Sequence, residues 1–250
     1  MKTILGTMTF SDQVDQSTSA QMVSAFSQTG NVELDTAFVY NKGKTEELLG
    51  NLNAEGTLAK LLIAGKANPW VDDGLSPTSV RLQLETSLAR LKTDSLNLFY
   101  LHAPDLNTPI TDTLNTVSEL HAEGKFKRFG LSNYAAWQVA EIVEICKREG
   151  WIQPTVYQGM YNALTRDVER ELLHCLQNYN IAFYVYNPLA GGMLSGKHQS
   201  IDSMPDDGRF ATFNGYKERY WTPGYFNVIN EVTAVCKSND IAPASAALQC

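Results

Sequence analysis

The sequence is poor in cysteine and in basic residues, and it has no long apolar run. Its four cysteines (Cys146, Cys175, Cys236 and Cys250) include no CxxC pair, which argues against a zinc site or a redox dithiol. A chain of this length does not need disulfide bonds for stability, so a reducing compartment is favoured. Lys and Arg number 20 against 27 Asp and Glu, a net charge of −7. That balance argues against a nucleic-acid binder, which must neutralise phosphates. No run is long enough for a membrane span, and the first residues turn polar too soon for a signal peptide. These absences predict a soluble, cytoplasmic protein with no nucleic-acid or membrane partner.

Short apolar runs alternate with longer amphipathic segments along the chain. The runs are apolar on consecutive positions, as in strands buried on both faces. The predicted strands are 3–7, 32–35, 61–66, 96–102, 126–132, 155–158 and 181–186. The predicted helices are 17–28, 76–91, 109–124, 136–149, 166–179 and 225–237.

Strand–helix alternation at this spacing predicts a parallel sheet with helical crossovers, either an open doubly wound sheet or a (β/α)8 barrel. A doubly wound dinucleotide fold has GxGxxG after its first strand, but here that segment reads Met8-Thr9-Phe10-Ser11. We therefore predict an α/β fold, a (β/α)8 TIM barrel, as a single domain over residues 1–250. The stretch 187–224 is irregular, and the pattern at 242–250 leaves no room for an eighth strand and helix. The chain is expected to be incomplete at its C-terminus.

A barrel places its functional residues at the carboxyl ends of its strands. Polar residues stand at six consecutive predicted strand ends. They are Asp35, Lys66, His102, Ser132 with Asn133, Gln158 and Asn187. Such a series predicts a site at one mouth of the barrel.

The strongest constellation combines Asp35, Tyr40, Lys66 and His102. A tyrosine is a poor proton donor at neutral pH, but a nearby ammonium stabilises its phenolate, and a carboxylate can hold that ammonium in place. A histidine beside them could orient a carbonyl oxygen. Each residue alone is more often a packed or solvated side chain, whereas the four together favour a catalytic site.

Several weaker motifs are rejected or left open. Gly43-Lys44-Thr45 lacks the earlier glycine of a phosphate loop, and 130–134 lacks the second glycine of a nucleophile elbow. The histidines show no metal-ligand spacing, so no metal is expected. The glycine-rich run 191–197 could wrap a pyrophosphate with exposed backbone N–H groups, or could equally be a flexible turn.

The residues that carry this chemistry also resemble a known family. The segment from Asp35 through Tyr40 and Gly43 to Glu46, Lys66 after its strand, and the Leu-Phe-Tyr-Leu-His run ending at His102 are similar to the aldo-keto reductase signature. Within that superfamily, the runs 130–137, 154–162 and 187–197 look most like the aflatoxin aldehyde reductase (succinic semialdehyde reductase) branch.

The resemblance implies a barrel that binds NADPH without a Rossmann fold and reduces aldehydes to alcohols. Tyr40 would be the general acid, Lys66 would lower its pKa, Asp35 would support Lys66, and His102 would orient the carbonyl. The implied cofactor-binding residues are Asp35, Ser132, Asn133, Gln158, Tyr186, Asn187, Leu189, Gly191, Gly192, Lys197 and Arg209. Tyr216 and Arg219 would contact substrate with His102, and an arginine there suits an aldehyde that bears a distal carboxylate.

The resemblance leaves other outcomes open. In the family, the loop that grips the adenosine 2′-phosphate and a further substrate arginine fall beyond Cys250. The chain is therefore expected to be a fragment of a longer product or a poorly active variant. The alternatives to a reductase are a regulatory barrel of the potassium-channel β-subunit type and an inactive truncated pseudoenzyme. A homodimer is expected from the family alone.

Overall fold

The computed structural model describes residues 2–206, 208–212 and 214–249; Cys250 lies outside them. The chain divides into two compact units. The first contains the chain up to Gln158 together with His174–Phe183, and the second contains Gly159–Leu173 and the residues from Tyr184 onward. Cys146 and Cys236 are buried free thiols. Among the helices described, none is long and apolar enough to cross a bilayer.

Seven strands form one sheet in chain order, and each neighbouring pair from β1 to β6 is parallel. The strands are β1 (Leu5–Gly6), β2 (Glu33–Asp35), β3 (Leu62–Ala67), β4 (Leu96–Leu101), β5 (Phe126–Ser132), β6 (Pro154–Met160) and β7 (Ala182–Tyr186). All seven predicted strands are confirmed, with small shifts at their ends. Parallel strands in chain order, joined by helices, have the arrangement of a (β/α)8 barrel without its eighth strand and helix, so within the described residues the predicted fold class is confirmed.

Helices lie between these strands and after β7. They are α1 (Gln16–Gln28), α2 (Lys44–Ala54), α3 (Pro77–Leu91), α4 (Ile110–Ala122), α5 (Ala136–Glu149), α6 (Leu172–Asn178), α7 (Arg209–Thr212), α8 (Asn214–Tyr220), α9 (Pro223–Ser238) and α10 (Pro243–Leu248). Helix α3 begins as its sequence predicts, because the Ser76 side chain accepts a hydrogen bond from the Ser79 N–H and Pro77 follows the cap. Helix α1 is capped by Asp15.

Three segments differ from their predicted structure. Helix α2 was not predicted, although Glu46 and Glu47 lie in its first turn and its leucines face the interior. The helix predicted over 166–179 is instead a 3-10 turn at Asp167–Glu169 followed by the short α6. The stretch 187–224, predicted to be irregular, contains α7 and α8, both too short to show a clear helical period in the sequence.

Strand register in the first unit brings the carboxyl ends of the strands to one edge. Lys66 is paired with Tyr100, and Tyr100 with Gly130. A Cβ atom at Gly130 would lie 2.5 Å from the Tyr100 ring, so the glycine gives that ring its space. Tyr100 is fully buried and its ring centroid lies 5.5 Å from the Lys66 Nζ. Close packing therefore fixes the Tyr100 ring beside the Lys66 ammonium.

The second unit has a hydrophobic cluster of its own. Its buried members are Ala190, Met193, Leu194, Phe210, Tyr220, Trp221, Phe226, Ile229 and Ala247. The Trp221 ring packs edge-on against Phe226 and tilted against Phe210. This cluster holds the loop after β7 against helices α7 to α10.

Candidate active site

Lys66 is the buried centre of the site. Its side chain is fully buried, and its ammonium donates to Asp35 Oδ1 at 2.5 Å and to the Thr36 carbonyl at 2.8 Å. Burial alone would lower the pKa of Lys66, but attraction to the Asp35 carboxylate and to Tyr40 outweighs it and holds that pKa above its ordinary value. Lys66 is therefore a fixed positive charge at physiological pH.

Asp35 links β2 to β6. One carboxylate oxygen accepts from Lys66, and the other accepts from the Gln158 side-chain amide at 2.8 Å. Asp35 and Gln158 are both buried. Since both carboxylate oxygens are occupied, the position and orientation of the carboxylate are determined by two neighbouring side chains.

Tyr40 lies in a turn just after β2. Its ring centroid lies 5.2 Å from the Lys66 Nζ, and its ring meets the His102 ring edge-on at a centroid distance of 5.9 Å. The Tyr40 N–H donates to the Ala37 carbonyl. The tyrosine ring is thereby held between the ammonium and the imidazole.

His102 follows β4 directly, and its backbone N–H donates to the Ala67 carbonyl at 2.8 Å. Burial and the nearby Lys66 charge lower the pKa of His102 to about 3. The imidazole is therefore neutral at physiological pH. Its Nδ1 is buried and has no hydrogen-bond partner among the described residues, so the ring keeps hydrogen-bonding capacity for a bound molecule.

The lowered pKa of His102 predicts a loss of stability in acid. Between pH 6.5 and about 3 the unfolded chain binds a proton at this histidine that the folded chain does not bind. The free energy of unfolding should therefore fall by about 1–2 kcal/mol from this residue between pH 7 and pH 5. Urea unfolding at both pH values should show a smaller fall in His102→Gln.

The exposed His174 offers a matched control. His174→Gln should keep the wild-type difference in stability between pH 7 and pH 5. If His102→Gln also kept the full difference, the imidazole of His102 would not be held neutral in the folded protein.

Ser132, Asn133 and Gln158 stand at the carboxyl ends of β5 and β6, where Ser132 and Gln158 are paired in register. Asn133 is exposed and has a left-handed φ of 62°. Its side-chain amide donates to the Ser132 hydroxyl at 3.1 Å and to the His102 carbonyl at 2.8 Å. A hydroxyl and two carboxamides thus lie beside the Lys66 and His102 group.

The structure adds one residue that the sequence analysis did not identify. Trp70 lies after β3, and its ring packs against His102 at a centroid distance of 5.1 Å. Its side chain is 62% exposed, which is unusual for a tryptophan. The Asn68 side chain accepts a hydrogen bond from the Trp70 N–H. A large aromatic residue four positions after the strand-end lysine was the available signal.

The other predicted residues lie in the second unit. Tyr186 ends β7, and Asn187 follows it with φ 61°. The Asn187 side chain accepts from the Gly191 N–H at 2.7 Å and donates to the Tyr220 hydroxyl at 2.8 Å. The N–H groups of Ala190, Gly192 and Leu194 are also bonded within this loop. The loop is therefore a compact, internally bonded turn in this structure.

Gly191 and Gly192 both have left-handed φ values, 72° and 112°. A Cβ atom on Gly191 would lie 2.7 Å from the Tyr216 ring, whereas Gly192 has only the tip of His198 nearby, at 3.8 Å. Glycine is thus needed at 191 both for conformation and for space. Leu189 is half-buried and Lys197 is exposed.

Two arginines complete the predicted set in this unit. The Arg209 guanidinium stacks over the Tyr216 ring at 4.9 Å. Arg219 is exposed, and its Nη1 lies 3.4 Å from the Met160 sulfur. Both cations remain available to an anionic group at the surface of the second unit.

The donor set suits a nicotinamide cofactor. Within the first unit, the Ser132 hydroxyl and the Asn133 and Gln158 carboxamides supply the donors and acceptors that a nicotinamide carboxamide requires. Within the second unit, the Lys197 and Arg209 charges suit a pyrophosphate, whereas the N–H groups of Gly191 and Gly192 are already bonded within the loop. The residues present therefore fit a nicotinamide dinucleotide cofactor.

Comparison with known proteins yields one family. The sequence model of the Aldo/keto reductase family matches residues 2–249. The chain is 50% identical over 244 residues to aflatoxin B1 aldehyde reductase member 2 of Rattus norvegicus, covering 94% of this chain and 66% of the relative. It is 50% identical to the Homo sapiens protein of that name, covering 90% and 65%, and 48% identical to human aldo-keto reductase family 7 member A3, covering 91% and 71%. The chain spans about two thirds of the length of these relatives.

Proposed function

Because the chain belongs to the aldo/keto reductase family, we propose that it reduces aldehydes to alcohols with NADPH as the hydride donor. The observation that carries the proposal is the buried Lys66 ammonium, bonded to Asp35 and placed beside Tyr40 and His102. Burying a charge is costly unless the charge is paired. A lysine without a special role would therefore lie at the surface, and the burial and pairing of Lys66 indicate a function. A buried ammonium beside a tyrosine hydroxyl is suited to proton transfer.

Tyr40 gives its proton to the carbonyl oxygen as the alcohol forms. The fixed charge of Lys66 stabilises the negative charge that develops on the Tyr40 oxygen during this transfer. Asp35 and the Thr36 carbonyl hold Lys66 in place, and Gln158 holds Asp35. The chain thereby provides a proton donor whose surroundings are organised before substrate arrives.

His102 orients the substrate. Its imidazole is neutral, since its pKa is lowered to about 3, and it can therefore donate a hydrogen bond to a carbonyl oxygen without competing to protonate it. The Trp70 ring beside it offers an apolar wall for the substrate.

When bound, NADPH supplies the hydride. We propose that Ser132, Asn133 and Gln158 hold the carboxamide and that Tyr186 stacks on the nicotinamide ring. Asn187, Leu189, Gly191, Gly192 and Lys197 are proposed to line the pyrophosphate, with Arg209 near the cofactor. The preference for NADPH over NADH rests on the family resemblance.

The proposed substrates are aldehydes like succinic semialdehyde or an aflatoxin dialdehyde. Tyr216 and Arg219 are the proposed substrate contacts, and an arginine can pair with a distal carboxylate. The names of the mammalian relatives, aflatoxin B1 aldehyde reductases, support an aflatoxin dialdehyde as substrate. A role in detoxification, a cytoplasmic location and a homodimer are further proposals from the same resemblance.

The test begins with an NADPH titration of the purified chain, followed by quenching of its intrinsic fluorescence. Saturable binding should be found, and succinic semialdehyde should then be reduced with loss of the near-ultraviolet absorbance of NADPH. Butyraldehyde, which lacks the carboxylate, is the matched control and should react with a higher KM. A folded chain that does not bind NADPH would contradict the proposal.

A further inference from the structure

The turn that carries Tyr40 has an unusual backbone. Asn41, Lys42 and Gly43 follow the tyrosine with φ values of 47°, 56° and 91°, all left-handed. Such conformations cost on the order of 1 kcal/mol for each residue with a side chain. They persist only where surrounding contacts stabilise them. Residues 38–43 therefore need support from elsewhere in the fold.

Arg90, in the last turn of α3, provides that support. Its guanidinium lies 4.7 Å from the Phe38 ring centroid, and its Nη1 donates to the Phe38 carbonyl at 3.4 Å. On the other side of Tyr40, the Gly43 backbone lies against the same guanidinium, since a Cβ atom there would come within van der Waals overlap of Arg90. One planar group thus contacts both ends of the turn.

Glu46 holds Arg90 in this position. The Glu46 carboxylate is completely buried and lies 3.2 Å from the Arg90 Nη1. Burial raises the pKa of Glu46, while the neighbouring Ser87 side chain, the Arg90 guanidinium and the Lys66 charge act in the opposite direction. A buried carboxylate without its cation is strongly destabilising. Glu46 therefore depends on the guanidinium as much as the turn does.

We propose that Arg90 is a positioning residue, which together with Glu46 sets the conformation of residues 38–43 and so places the Tyr40 hydroxyl beside Lys66 and His102. The proposal rests on the proposed function of Tyr40 as proton donor. A guanidinium can stack on Phe38, donate to its carbonyl and pair with Glu46 at the same time, which the single ammonium of a lysine cannot do. Arg90 is not among the residues proposed to contact substrate or cofactor.

The test measures the environment of Tyr40 without any ligand. The chain is labelled with 3-fluorotyrosine, and the Tyr40 resonance is assigned in the fluorine NMR spectrum by its loss in Tyr40→Phe. In Arg90→Met this resonance should shift or split. Arg81→Met is the matched control, because Arg81 lies on the same helix and makes exposed ion pairs with Glu85, Glu119 and Glu123. It should leave the Tyr40 resonance unchanged.

Kinetics supply the second measurement. In Arg90→Met, kcat should fall on the order of 10²-fold, the cost of a misplacement of about 1 Å. The KM for aldehyde and the Kd for NADPH should stay within about threefold of wild type, because Arg90 is not one of the proposed contacts of either molecule. A wild-type chain that fails to reduce aldehydes would contradict the proposed function, and the NMR comparison would still decide whether Arg90 positions Tyr40.

A double variant separates positioning from stability. Glu46→Gln combined with Arg90→Met removes the buried carboxylate charge together with its cation, so its free energy of unfolding should return towards the wild-type value. It also keeps the test available if the single variant fails to fold. The Tyr40 resonance and kcat should stay abnormal in the double variant. Wild-type resonance and kcat in either variant would overturn the proposal and leave Arg90 a merely structural residue.

Discussion

Lys66→Met is expected to lower the free energy of unfolding by about 3–5 kcal/mol, the usual cost of removing one partner from a buried ion pair. The Lys66 side chain is fully buried and the Asp35 side chain is only 11% exposed. Without the ammonium, the Asp35 carboxylate keeps the Gln158 amide as its side-chain partner. Urea unfolding at neutral pH measures the loss. Aldehyde reduction by the same variant should fall by at least about 10²-fold, because the ammonium then no longer stabilises charge on the Tyr40 oxygen.

The double variant Lys66→Met with Asp35→Asn separates the two effects. It removes both buried charges and keeps the size of the two side chains, so most of the lost stability should return. Activity should not return, because the ammonium is still absent. If activity recovered together with stability, Lys66 would serve the fold and not the proton transfer.

Much of the fold could be predicted because parallel strands that are buried on both faces read as continuous apolar runs. The polar residues that end those runs were predicted to converge. Asp35, Lys66 and Gln158 do lie in one hydrogen-bonded group, and Tyr40 and His102 lie beside Lys66. The strand-end residues converge because the carboxyl ends of parallel strands in register meet at one edge, whereas Tyr40 lies in the turn after β2.

The rest could not be predicted because it depends on contacts between residues far apart in sequence. Arg90 reaches Phe38 across 52 positions, and no local pattern marks an arginine in the last turn of a helix as the support of a distant loop. Helix α2 was overlooked for another reason. It begins directly after the Asn-Lys-Gly run at 41–43, which has left-handed φ values. Asn and Gly are typical of turns, so the start of the helix looks like part of a loop in the sequence.

The second unit was the least predictable part. Its helices α7 and α8 have 4 and 7 residues, too few to establish a helical period. They are stabilised by packing of aromatic residues such as Phe210 and Trp221, and not by local preference. A sequence rich in glycine and aromatics reads equally well as an irregular loop.

Tyr40→Phe should abolish most of the proposed activity while leaving the fold intact. The substitution removes only the hydroxyl and keeps the ring that packs against the Lys66 ammonium and the His102 imidazole. Loss of a general acid costs on the order of 10²–10⁴-fold in rate, and kcat for aldehyde reduction should fall by that factor. The Kd for NADPH should stay within about twofold, as measured by fluorescence titration, because the hydroxyl acts in the chemical step and not in binding.

Tyr100→Phe is the matched control for this loss. The Tyr100 ring lies 5.5 Å from the same ammonium, close to the 5.2 Å of Tyr40, but it is fully buried within β4 and cannot reach a substrate. Its variant should keep kcat within about threefold of wild type, since an acid must be within hydrogen-bond reach of the oxygen that it protonates. An equal loss in both variants would mean that activity responds to any change beside Lys66, and Tyr40 would then not be the proton donor.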